Sequence, residues 1–179
     1  MNRVAELASG SMLSQLTRSP LLRVPLVVAV VLAVQTSIAS ELRPFGVAAD
    51  LMLLLSVAGG LVSSPERGAI AGFFIGLSFD LVLQTPFGLS ALVYSLTAFA
   101  LGYLRLGIER SGWWMRVLAV ALASAVAVVA FALLGSLFGM TRIVNVHLLH
   151  IAVVVAAVNA VLAAPALGVM RWALTAEGT

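Results

Sequence analysis

Six stretches of this chain are almost wholly apolar, and the segments between them are too short to fold by themselves. They run roughly from Val24 to Ala39, Phe45 to Val62, Gly68 to Leu83, Gly88 to Leu104, Met115 to Phe138 and Val146 to Trp172. A helix crossing a bilayer needs about 20 residues, within a range near 17 to 25, so the first and third runs must borrow flanking residues or thin the membrane. Of the 179 residues 62% are apolar and only 9% charged, where a soluble domain carries about 25% charged residues. A core of this size buries only part of so much apolar surface, and the remainder must face hydrocarbon. The expected fold is an all-α membrane protein, a bundle of six transmembrane helices over residues 24–172. A tail of mixed composition, 1–23, precedes it and a short tail, 173–179, follows.

The cations are ten arginines with no lysine, set against seven acids for a net charge of +3. If the loops alternate from an amino terminus placed inside, Arg3, Arg18, Arg23, Arg67, Arg105, Arg110, Arg116 and Arg171 fall on the inner side, and only Arg43 and Arg142 on the outer. Short loops obey the positive-inside rule best, so both termini are expected in the cytoplasm. Tyr103, Trp113, Trp114 and Trp172 gather at the same interface, where amphipathic rings favour the headgroups. One alternative makes Arg23 and the first run a cleaved leader ending near Ile38-Ala39-Ser40, with five spans remaining. The arginines form no stripe interleaved with aromatics, so no nucleic-acid partner is expected.

The third run places Gly68, Gly72 and Gly76 four residues apart, with Asp80 one step further. Each step of four turns a helix only about 40° beyond a full turn, so these residues share one slowly winding face. Small residues let membrane helices approach closely where lipid has removed the hydrophobic drive. An aspartate at mid-bilayer costs about 2.5 to 3.5 kcal/mol on insertion scales, so this helix is expected at the centre of the bundle, covered by its partners. The sixth run repeats the spacing with Ala152, Ala156, Ala160, Ala164 and Gly168, and Ala29 and Ala33 do so in the first. Gly68, Gly72, Gly76, Ala156 and Ala160 are the candidates for a helix-packing or partner seam. Pro165 should break the sixth helix near Leu162.

The candidate intramembrane polar residues are Asp50, Asp80, His147, His150 and Asn159. Asp50 falls about five residues inside the outer end of the second run and Asp80 about four inside that of the third, so both sit roughly 6 to 8 Å deep. With His147 and His150, and with Arg43 and Arg142 above them, they could ligate a metal, relay protons or line a small polar pocket. The simpler alternative has the aspartates hydrogen-bonding neighbouring helix ends, or pairing with Arg43, and the histidines in the headgroups. No spacing is diagnostic of a metal, and no cofactor is expected. The absence of cysteine excludes disulfides and thiolate chemistry. Nothing resembles a nucleophile turn, an oxyanion site or a phosphate-binding loop, so no catalytic residue is assigned.

Three segments carry a family resemblance: Arg43-Pro44 through Asp50, Gly72-Phe73-Phe74-Ile75-Gly76-Leu77-Ser78-Phe79-Asp80-Leu81, and Thr85-Pro86-Phe87-Gly88-Leu89-Ser90-Ala91-Leu92-Val93-Tyr94. They resemble MreD, the rod-shape-determining membrane protein of bacteria, whose members share G-F-x-x-G-L-x-x-D-L followed by P-x-G-L-x-A-L. Ser90 stands where that family commonly has histidine. The resemblance implies a non-enzymatic scaffold of the inner (cytoplasmic) membrane that binds MreC, and through it RodA, its class B transpeptidase and MreB filaments. It also implies a fold like that of the S components of energy-coupling-factor vitamin transporters. The competing function is therefore a substrate-binding S component, which would need a pocket in the outer leaflet lined by Asp50, Asp80 and His150.

Overall fold

The computed structural model describes residues 20–39, 46–83, 86–140 and 147–174, and every regular element among them is helical. Helix α1 (Pro20–Val34) runs into a π-helical turn (Gln35–Ala39). Then follow α2 (Leu51–Val62), α3 (Pro65–Asp80), α4 (Leu89–Arg110), α5 (Trp113–Leu137), α6 (His147–Val161) and α7 (Ala163–Leu174). The tail 1–23 lies outside the described residues as far as 19, and Pro20 to Arg23 form the first turn of α1. Of the tail 173–179, residues 175–179 also lie outside them.

Each apolar run yields helix, but the ends move for local reasons. The second run becomes helical only at Leu51, because the Asp50 carboxylate accepts from the Leu53 amide at 2.8 Å and starts the helix there. Asp50 is thus the N-cap, not a residue inside the helix. The third helix begins at Pro65, a first-turn position where the missing N–H costs nothing. It ends at Asp80, so this carboxylate too stands at a helix end and not one turn inside it. Gly88, at φ +94, makes the left-handed turn into α4 that a side chain would strain.

The centre of the bundle is α2, not the glycine-rich helix. Its twelve residues are apolar nearly all round, and Met52 through Leu61 are all buried, so other helices cover them here. The glycine helix α3 has two faces instead. Gly68, Ala71, Gly72, Ile75, Gly76, Phe79 and Asp80 are buried, while Ile70, Phe73 and Phe74 point outward.

By length and composition α4 and α5 can each cross a membrane, and α6 with α7 forms a third span if their 65° bend is counted as one broken helix. Helix α2 reaches only about 18 Å, well short of a hydrocarbon core of about 30 Å. The break falls at Leu162: Pro165 has no N–H for the Val161 carbonyl, while Leu162 N–H still bonds Val158 O and Ala166 N–H bonds Leu162 O.

Candidate functional site

Helices α3 and α4 run antiparallel with almost no gap. Pro65 faces Gly102, Gly68 faces Ala98, Gly72 faces Tyr94, and Gly76 faces Ser90 and Ala91. A methyl group on Gly76 would stand 2.5 Å from the Ser90 carbonyl oxygen and 2.6 Å from Ala91 Cα. On Gly72 it would stand 2.7 Å from Tyr94 O and 2.8 Å from Ser56 Oγ. Gly60 of α2 adds a third backbone, its missing methyl 2.5 Å from Ala98 O. The Ser56 hydroxyl donates to Tyr94 O at 3.0 Å. Three helices are thereby joined backbone to backbone, the dispersion-dominated packing that hydrocarbon favours. The faces of Gly68, Gly72 and Gly76 are occupied within the chain itself.

Asp80 closes the same seam. It is 3% exposed, and its oxygens accept from the amides of Gly88 (2.9 Å), Ser90 (3.2 Å) and Ala91 (3.2 Å). These are N–H groups at the start of α4 that have no partner within their own helix, and a carboxylate there also meets the positive end of the helix dipole. The motif residues Gly72, Gly76, Asp80, Gly88 and Ala91 therefore form one joint between α3 and α4.

Asp50 has a second bond, from the Tyr94 hydroxyl at 2.7 Å. Beside it the buried Gln35 amide clasps the start of α2, donating to Ala49 O at 2.7 Å and accepting from Leu51 N–H at 2.9 Å. Gln35, Asp50, Phe79, Tyr94 and Phe131 border a cavity of about 250 Å³. Asp80 and the histidines are not among its lining. His147 and His150 are exposed on α6, while Leu148 and Ile151 of that helix turn to the cavity. Arg43 and Arg142 lie outside the described residues. Among the described residues no three metal-capable side chains come together. The aspartates meet helix ends; they do not share a pocket with the imidazoles.

Asn159 is fully buried, and its Nδ2 donates to Ser124 Oγ of α5 at 2.9 Å, tying α6 to α5. Its Oδ1 and the Ser90 hydroxyl have no partner among the described residues. Ala156 and Ala160 are half-buried, and nothing lies within 4 Å of a methyl placed on Gly168. Sequence reasoning missed Tyr94, Gln35, Ser124 and the pairing of Arg23. That arginine, 5% exposed, donates to Trp172 O at 3.0 Å and stacks 4.8 Å from the centre of the Trp172 ring.

The described arginines lie toward one end, and the aspartates and histidines toward the other. The Pro65–Gly102 and Gly59–Met170 contacts and the Arg23–Trp172 pair place Arg23, Arg67, Arg105, Arg110, Arg116 and Arg171 toward one end. Asp50, Asp80 and the start of α6 with its histidines occupy the other. A family model for the rod shape-determining protein MreD matches residues 17–171, nearly the whole chain. The chain belongs to the MreD family. Membership carries a role in rod-shape determination and places the protein among membrane proteins. In this chain Gly72, Gly76 and Asp80 of the family motif are the joint just described. Comparison with curated proteins and with solved structures gave no match.

Proposed function

We propose that this chain is a multi-pass scaffold of the bacterial inner membrane that supports cell shape and lateral peptidoglycan synthesis. It does so by binding MreC and, through MreC, RodA, the class B transpeptidase and MreB. The family match over residues 17–171 carries this reading. Two structural features support it. The described residues are nearly all in helices joined by short turns, so the chain acts on other proteins chiefly through lateral surfaces. The α2–α3–α4 joint also gives those surfaces a rigid backing. Because the glycine face is consumed internally, partner contact falls to other faces, of which Ala156 and Ala160 on α6 and, beyond the 65° bend, the exposed Ala164 and Gly168 on α7 offer small residues. The arginine end lies in the cytoplasm, with both termini there and six crossings between.

The test is co-purification with MreC from a rod-shaped host. Ala156→Phe/Ala160→Phe should lose MreC while remaining folded in detergent. Undiminished recovery of MreC would remove this face from the proposal, and failure of the wild-type chain to recover MreC would remove the scaffold. The second reading, a vitamin-binding S component, has the cavity beside Asp50 in its favour. Saturable binding of a vitamin by the purified chain, abolished by Asp50→Ala, would establish it.

A further inference from the structure

Between α4 and α5 runs a groove of about 500 Å³, bordered by residues that include Val93, Leu104 and Ile108 on one wall and Met115, Ala119 and Ala123 on the other. Its lining is apolar apart from Thr97, whose hydroxyl is turned back onto Val93 O at 2.7 Å. From Val93 to Ile108 it extends about 22 Å along α4. At its mouth, where α4 turns into α5, stand two arginines. Arg105 lies one turn after Leu101 and one before Ile108, and Arg116 one turn before Ala119, so both flank the groove. Neither is fully exposed, and neither makes a hydrogen bond or ion pair with the described residues. Glu109, four residues beyond Arg105, is not paired with it.

We propose that this groove holds one acyl chain of an anionic phospholipid whose headgroup phosphate lies on Arg105 and Arg116. Two observations select this occupant. The length accommodates a chain reaching through one leaflet, about 15 Å of hydrocarbon. The guanidinium groups supply the charge and forked donors that phosphate oxygens accept, in the arrangement by which basic pockets between membrane helices take anionic headgroups.

The experiment is native mass spectrometry of the full chain, purified in detergent and offered equal amounts of phosphatidylglycerol and phosphatidylcholine. Two arginines at about fivefold each give roughly a 25-fold preference for phosphatidylglycerol. Arg105→Gln/Arg116→Gln should bring the two lipids to parity. Arg110→Gln, on the face of α4 turned away from the groove, should leave the preference intact. Ala119→Phe/Ala123→Phe, which fills the groove, should reduce retention of both lipids. If the double arginine variant does not fold, Arg116→Gln alone should lower the preference about fivefold. Equal retention of both lipids by the wild-type chain, an undiminished preference in the arginine variants, or a protein helix seated in the groove in place of lipid would each overturn the proposal.

Discussion

At Gly76 the three nearest atoms to a would-be methyl, Ser90 O, Ala91 Cα and Ala91 N, all belong to backbone, so none can swing aside. Gly76→Ala is therefore expected to destabilise the fold by about 1 to 3 kcal/mol, the cost of overpacking a tight contact. Gly107→Ala on α4 provides the contrast: open space surrounds that position, and removing a helical glycine there should be neutral or stabilise by about 0.4 to 1 kcal/mol. Thermal unfolding of the two variants in detergent compares them directly, and equal midpoints would show that the seam is not closed. A second residue-scale expectation concerns Asp80. Replacing it with alanine leaves the Gly88, Ser90 and Ala91 amides at the start of α4 without acceptors, a loss of about 1 to 3 kcal/mol for a buried unsatisfied group. Hydrogen exchange at those amides should accelerate in Asp80→Ala before the rest of α4 is affected.

Between elements, stability rests on a few long-range pairs. Ser124→Ala leaves the Asn159 amide without its partner across α5 and α6, and the cost should be about 0.6 to 2 kcal/mol, since such bonds in membranes are modest. Arg23→Gln should loosen α1 from α7, read as faster proteolysis near Trp172, because both the hydrogen bond and the ring contact are lost. What could be read in the sequence follows from the range of each signal. The glycine spacing of α3, nine residues from Gly68 to Gly76, and the break before Pro165 are local signals. The partner of Asp50 is 44 positions away, that of Asn159 is 35 away, and that of Arg23 is 149 away; no periodicity reports pairs so distant. The start of α2 was hidden differently. Phe45 to Val62 reads as one apolar stretch, and only the capping bond at Asp50 shows where helix begins. The central place of α2 was concealed as well, since a helix apolar all round looks the same whether proteins or lipids surround it.

Across the whole molecule six described arginines lie toward one end, together with Glu66 and Glu109, and Asp50, Asp80, His147 and His150 toward the other. The α2–α3–α4 joint lies between these ends, with the short α2 enclosed by α3, α4 and α7. In the proposed scaffold role, partners would meet lateral surfaces, with Gly72 and Gly76 out of their reach. The reading requires the two ends to lie on opposite sides of the membrane, arginines inward. The chain has no cysteine, so single labels can be placed cleanly. Ser111→Cys, at the exposed turn after α4, and Leu149→Cys, exposed near the start of α6, mark the two ends. With a maleimide that cannot cross the inner membrane, Leu149→Cys should be labelled in intact cells and Ser111→Cys only after lysis. Labelling of Ser111→Cys in intact cells, or the same response from both positions, would contradict the arrangement.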